Sequence, residues 1–445
     1  MTIIDRSKIQ AMLEREESRY LAERPKSRAL LERAKASLLS GVPMTWMADA
    51  PGALPLFVKE AKGARFTDVD GYCYVDMCLG GSAAIAGHSP APIADAIAKQ
   101  AYNGLTLILP TEDSIWVGEE LARRFGLPYW QIYMTGTDAN RFAIRVARQT
   151  TKRNIVLVFD GCYHGTLDES LVSAQYGSTR VMGMEVVGPL PNPASRVIQF
   201  NDLDALQTAL SPRDVACVLT EPALTNSGII FPEPGYHEAL WEMTRRFGTL
   251  LVIDETHTIT SGPGGLTRIW NLKPDIFTIG KPIAGGLPAA AMGVTQEVAE
   301  RLSIGSKFTV GLGGTLSGNP LQIAAIRATL ENVLTQSAYG RMISITDGIA
   351  DFMDKKIEDA DLPWHVSRLG CRLEYGFSRI PPKNAAEFGA SYDKDLDSLI
   401  NLYFVNRGIW LTPVHSTVLV SAATTVEDAN LYNKLFGELV EELVS

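Results

Sequence analysis

Residues 248–294 read GTLLVIDETHTITSGPGGLTRIWNLKPDIFTIGKPIAGGLPAAAMGV. Three short apolar runs stand in this stretch, Leu250–Ile253, Phe277–Ile279 and Ala290–Val294. Runs with no polar alternation predict strands buried on both faces, the pattern of a mostly parallel sheet covered by helices. Asp254 directly follows the first run, with Glu255, Thr256 and His257 behind it; Lys281 follows the second across Gly280. Open α/β sheets bind ligands at the carboxyl ends of their strands, so both residues are expected at that edge. Their separation of 27 positions leaves room for one crossover. An acid in that place is either a turn former or a carboxylate held dry to keep a ring nitrogen protonated. A lysine after an apolar run either snorkels to water or is a desolvated amine, nucleophilic toward carbonyls.

Outward from this stretch the same alternation continues from about residue 85 to 300. Further strands are expected at Gln131–Met134, Ile155–Phe159 and Ala216–Leu219, and helices at 91–103, 113–125, 137–150, 202–210 and 235–247. The pattern changes after about 320, where a long helix from Leu321 is followed by the strand candidates CRLEYGFSRI and GIWLTPVHSTVLVSA. At the other end, residues 5–39 carry helical periodicity broken by Pro25, residues 41–55 are a Gly/Pro loop, and 65–77 read as a hairpin turning at Asp70-Gly71. A chain of 445 residues predicts more than one domain. We expect an N-terminal segment over 1–80, a large α/β domain over 81–325 and a C-terminal part over 326–445. The two chain ends together form a smaller α+β domain.

Net charge is −9 with no Lys/Arg cluster, which argues against nucleic acid and against an anionic membrane surface. The five cysteines are odd in number, scattered and without a C-x-x-C pair, which argues against zinc and for a reducing cytoplasm. The first twenty residues are charged from Asp5 onward, unlike a signal or transit segment, and no apolar run reaches membrane-spanning length.

The other strand ends add to Asp254 and Lys281. Gly136 and Thr137 open a helix after Gln131–Met134, offering free N–H groups, a hydroxyl and the positive dipole end to an anion. Tyr163 and His164 follow Ile155–Phe159, where an aromatic ring could cover a flat ligand, and Glu221 follows Ala216–Leu219. Thr315 sits in the glycine-rich loop GGTLSGNP before the long helix. Taken singly, each is an ordinary cap or core residue. Together they amount to a buried amine, a ring-nitrogen acid, a phosphate cup and an aromatic cover, which are the needs of pyridoxal phosphate.

On these residues the chain resembles the class III pyridoxal-phosphate aminotransferases of fold type I. Within them it is similar to the branch of glutamate-1-semialdehyde 2,1-aminomutase and β-amino-acid aminotransferase. MTGTDAN, YHG, EP, IDET, GKPIAGGLP and GGTLSGNP occur in the family's order, within a resemblance that runs from about residue 30 to the C-terminus. The resemblance implies that Lys281 forms the Schiff base with the cofactor and shuttles the proton, and that Asp254 pairs with the ring nitrogen. It implies that Gly136 and Thr137 bind the phosphate, that Tyr163 and Thr256 cover the two ring faces, and that Glu221 lies in the cofactor crevice. Thr315 would reach the phosphate of a neighbouring subunit, making a homodimer with shared sites. Trp46, Asn226 and His164 are the expected substrate-pocket residues. The chain departs from the family at Thr256, usually a valine, and at Asp138, usually a glutamate. Asn226 stands where some relatives place a glutamate switch.

The implied reaction is transfer of an amino group from an amine or amino acid to a keto or aldehyde acceptor, with 2,1-aminomutase or racemase chemistry as the alternative. Carboxylate-binding relatives often present an arginine in the entry loop, yet no arginine occurs between Arg33 and Arg65. Met44, Thr45, Trp46 and Met47, with Trp410, Val414 and His415, predict an amine or long-chain donor flanked by apolar groups. Arg268 is the candidate cation for an ordinary amino acid. A nucleotide site is excluded: a P-loop ending at Lys281 needs Gly at 275 and Ser or Thr at 282, where Asp275 and Pro282 stand. Retention of the lysine, the aspartate and the phosphate turn argues against a degenerate binding module.

Overall fold

The structure is a computed structural model that describes residues 4–49, 51–175, 178–181, 194–303, 311–413 and 417–445. It divides into two compact units. The larger comprises Ala91–Gln336 with Pro382–Ala390, and the smaller comprises Met1–Pro90, Ser337–Pro381 and Ser391–Ser445. These divisions fall after residues 90 and 336, where the sequence pattern placed them after 80 and 325.

The larger unit is built on seven strands: β1 (Tyr129–Tyr133), β2 (Ile155–Phe159), β3 (Ser195–Ile198), β4 (Val215–Thr220), β5 (Leu250–Asp254), β6 (Ile276–Ile279) and β7 (Ala290–Val294). Their spatial order is β1-β7-β6-β5-β4-β2-β3. All run parallel except β7, which is antiparallel to both β6 and β1. The central strands β4, β5, β6 and β7 are buried at every position, as mostly apolar runs without a polar face require. Val156, Leu157, Val158 and Phe159 of β2 have no exposed surface, and each contributes about 1.5–3 kcal/mol by burial.

The helices Ala91–Tyr102, Glu112–Phe125, Gly136–Thr151, Leu203–Leu210 and Tyr236–Phe247 follow the expected spans to within a residue or two. β3 was not expected, nor was the hairpin Val172–Gln175/Ser178–Val181. The short runs SRVI and VSAQ are too polar to stand out by pattern. The long helix predicted from Leu321 ends at Asn332, and a second one, Gln336–Asp359, follows.

In the smaller unit Pro25 occupies the first turn of Pro25–Ala34, so it starts a helix after Arg6–Ala22 rather than only ending one. Val58–Lys62, Arg65–Asp68 and Cys73–Asp76 form an antiparallel meander, and Ile409–Trp410 adds in parallel to the last. Arg24 is buried at 1% exposure because its guanidinium is fully engaged. It donates to the Tyr20 carbonyl at 3.0 Å and the Tyr74 hydroxyl at 3.1 Å, and lies 4.0 Å over the Tyr20 ring. Among the described residues, no helix is long and apolar enough to cross a membrane.

Candidate active site

The parallel register sets the centre of the site. β5 lies between β4 and β6, with Asp254 opposite Thr278, so Asp254 is the last residue of a strand inside the sheet. It is 3% exposed and its carboxylate is fully engaged. Asp254 Oδ2 accepts from Asn140 Nδ2 at 2.7 Å and His164 Nδ1 at 2.9 Å, and Oδ1 accepts from the Thr256 N–H at 2.9 Å. Burial pushes this carboxyl toward the neutral acid, but the His164 and Thr256 hydrogen bonds outweigh it and hold the group below the usual carboxylate range. Burial likewise opposes charge on His164. Cys162 and the Asp254 carboxylate reverse that and hold the imidazole well above its ordinary value. The pair thus draws Asp254 toward its ionised form and His164 toward its protonated one.

Asn140 ties this pair to the sheet. From the buried face of the helix Gly136–Thr151 it donates to the His164 carbonyl at 2.9 Å as well as to Asp254, and its Oδ1 accepts from Thr278 Oγ1 at 2.6 Å. Sequence reasoning missed Asn140 and Thr278. Both carried a signal, a polar residue on an apolar stripe or in an apolar strand, but their partners lie far off in the chain.

Lys281 opens a short turn, Lys281–Ala284, after β6. Its φ of 50° is left-handed, which costs a non-glycine residue about 1–3 kcal/mol and is characteristic of functional positions. Its side chain is half-buried, and Nζ lies 2.5 Å from Nε2 of His257, itself only 8% exposed. His257 is a third residue the sequence left without a role.

The first turn of Gly136–Thr151 forms a cradle. Thr135 caps it by accepting from the Asp138 N–H at 3.1 Å, which leaves the earlier Gly136 and Thr137 N–H groups at the helix mouth. Two close approaches keep this cradle open. A Cβ on Gly280 would stand 3.2 Å from the Gly136 nitrogen, and one on Gly165 (φ +96°) would stand 2.4 Å from Thr137 Oγ1. Only glycine fits at 165. Thr137 Oγ1 also accepts from the Thr166 N–H at 3.2 Å, joining the helix mouth to the Tyr163–Gly165 turn.

The remaining expected residues are placed as follows. Tyr163 is half-buried, and burial raises its phenol so that it stays protonated. Thr256 stands beside Gly136, its Oγ1 3.6 Å from where a Cβ there would lie. Glu221 is buried and turns onto its own loop, accepting from the Thr225 N–H at 3.2 Å and Thr225 Oγ1 at 2.5 Å, with Asn226 Nδ2 at 3.5 Å. His164 has no exposed side-chain surface, so it orients Asp254 rather than lining a substrate pocket. Thr315 is exposed in its loop and lines a cavity of about 760 Å³ with Ile108, Leu109 and Asn319. Arg268 lies against Gly126 at the end of Glu112–Phe125, where a Cβ would meet Nη1 at 3.0 Å. Trp46 belongs to the smaller unit, in the turn Thr45–Ala48, and is 56% exposed. Val414 and His415 fall outside the described residues.

A lysine amine and a clamped carboxylate at neighbouring strand ends, beside a glycine-walled helix mouth, fit a phosphorylated pyridine aldehyde. Residues 47–441 match the family described as aminotransferase class-III. The chain belongs to the class III aminotransferases. It is 33% identical over 388 residues to a glutamate-1-semialdehyde 2,1-aminomutase of Sorangium cellulosum (strain So ce56), covering 85% of this chain and 87% of the relative. Among solved structures it is similar to a glutamate-1-semialdehyde-aminomutase from Pseudomonas aeruginosa PAO1 in complex with PMP, with 44% identity, TM-score 0.95 and 99% of both chains covered. A β-phenylalanine aminotransferase from Variovorax paradoxus shares the fold, at 24% identity, TM-score 0.89 and 97% coverage of both. This class III chain is a pyridoxal-phosphate enzyme of fold type I, as its motifs implied.

Proposed function

We propose that this class III enzyme shifts an amino group between neighbouring carbons of one substrate, as a 2,1-aminomutase of the glutamate-1-semialdehyde type. The observation that carries this reading is the 44% identity over 99% of both chains to the Pseudomonas aeruginosa protein of that name. The sequence motifs led with amino transfer between two molecules and kept the shift within one as the alternative; the named relatives favour the alternative.

When bound, pyridoxal phosphate supplies a carbonyl to a lysine amine and an electron sink to the substrate. The chain's own residues would do the rest. Lys281 Nζ would carry the carbonyl link and, once released, take a proton from the substrate carbon and return it to the neighbouring position. Asp254, held toward its ionised form by His164 and the Thr256 N–H, would keep the ring nitrogen's proton in place. Gly136 and Thr137 would hold the phosphate, Tyr163 and Thr256 would exclude water from the two ring faces, and Glu221 would border the crevice. Asn226 and Trp46 remain the proposed substrate contacts. The working unit would be a cytoplasmic homodimer in which Thr315 of a second copy reaches the phosphate. Leu107, Ile108 and Leu109, exposed at 54%, 78% and 65%, are the apolar surface such a partner would cover.

Purified protein given glutamate-1-semialdehyde and no second carbonyl compound should form the isomeric 5-amino-4-oxopentanoate, followed by mass-neutral chromatographic conversion. The stretch from Arg33 to Arg65, free of further arginine, favours a second reading, transamination with a hydrophobic amine donor. No isomerisation, together with rapid amino transfer from such amines to an added oxoacid, would replace the first reading by the second.

A further inference from the structure

The Nζ of Lys281 and the Nε2 of His257 stand 2.5 Å apart, and His257 is 8% exposed. A contact between two nitrogens at that distance is a hydrogen bond, in which one nitrogen donates a proton and the other accepts it. Two charged groups there would repel, and two neutral groups would leave the amine without its usual proton at neutral pH. The other ionisable groups of the same loop are engaged elsewhere. Asp254 is held by His164, Asn140 and the Thr256 N–H. Glu255 accepts from Thr258 Oγ1 at 2.5 Å, the Leu266 N–H at 3.1 Å and the Thr267 N–H. His257 is thus placed to serve the lysine. Its backbone is held at the start of the turn Thr258–Ser261, where its own carbonyl accepts from Thr260.

We propose that His257 is the proton partner of Lys281, the base that makes its amine nucleophilic. The proposal rests on the reading that Lys281 captures a carbonyl cofactor. The step is a single proton transfer: a proton leaves Nζ, whose bonding pair stays on nitrogen, and joins the lone pair of Nε2. The amine becomes neutral and the imidazole positive. Nζ then has a free pair for a carbonyl carbon, and the imidazolium can return the proton when the lysine is released. An ammonium alone has no such pair, so a base adjacent to the amine sets the rate of capture at neutral pH.

The experiment follows capture rather than turnover. Apoprotein is mixed with pyridoxal phosphate, the lysine-bound chromophore is followed by absorbance, and borohydride-trapped product is located at Lys281 by mass spectrometry. His257→Gln keeps a group able to accept a hydrogen bond from the ammonium but unable to take its proton. It should slow capture at neutral pH by roughly tenfold or more. The gap should close at alkaline pH, where the ammonium loses its proton to solvent, and free imidazole should restore the rate in His257→Ala. Thermal melts check that the variants are folded; if His257→Ala is not, the pH profile of His257→Gln decides. Capture by His257→Gln at the wild-type rate across pH would overturn the proposal. So would a deficit equal at every pH and unmoved by imidazole, which would mark a packing role. A wild type with no cofactor on Lys281 would overturn the underlying reading too, which separates the two failures.

Discussion

Lys281 and Asp254 are separated along the chain but meet at one sheet edge, each under a different constraint. Lys281 is held in a left-handed backbone conformation beside His257, and Asp254 is charged although buried. Lys281→Ala should fold with an unchanged melting temperature and bind the cofactor without the lysine-linked chromophore; persistence of that chromophore would assign the link to another lysine. The Asp254–His164 pair makes a pH prediction whose sign follows from linkage. The folded Asp254 pKa is depressed, so its contribution is present above the unfolded carboxylate value of about 3.9 and is lost as pH falls through the lower folded value. The folded His164 pKa is raised, so its contribution is full below about 6.5 and is lost as pH rises through the higher folded value. The melting temperature of wild-type apoprotein should therefore lead that of Asp254→Asn most between those limits, with the lead shrinking toward both acid and alkali. A lead constant across pH would mean the pair is not ionised.

The helix Gly136–Thr151 does three jobs at the scale of an element. Its first turn offers N–H groups, its buried face carries Asn140 to Asp254, and Thr137 Oγ1 meets the Tyr163–Gly165 turn. The turn can approach because Gly165 has no side chain. In Gly165→Ala the new methyl would lie 2.4 Å from Thr137 Oγ1 and 2.7 Å from its Cα, at a φ of +96°. We expect a loss of about 1–3 kcal/mol in denaturant unfolding, with a larger proportional loss in pyridoxal-phosphate affinity. Unfolding and cofactor titrations on the same variant test this; undiminished affinity would show that the helix mouth does not hold the phosphate.

At the scale of the whole molecule, Thr315 and the exposed Ile108 and Leu109 border one cavity of the larger unit. If a second copy covers that surface and Thr315 serves its partner's site, then Lys281→Ala and Thr315→Ala proteins, each weak alone, should regain activity when unfolded and refolded together. Sedimentation should show a dimer at working concentration. An active monomer, or mixtures no better than either parent, would confine the site to one chain.

The sequence by itself determined six of the seven sheet strands and five helices of the larger unit, the strand-end positions of Asp254 and Lys281, and the cofactor. Unbroken apolar runs can only be buried strands, and side chains just after them reach the open edge of the sheet. Polar runs such as β3 lacked that contrast and went unread. Tertiary structure alone decided the partners. Asn140 with Asp254, 114 positions apart, His164 with Asp254, 90 apart, and His257 with Lys281, 24 apart, are joined only when parallel strands and their covering helices stack. That is why His164 reads from the sequence as a pocket residue and proves to be the clamp on a carboxylate. Periodicity records which face of an element is buried, whereas a hydrogen bond between distant residues depends on strand order and register, which local pattern does not encode.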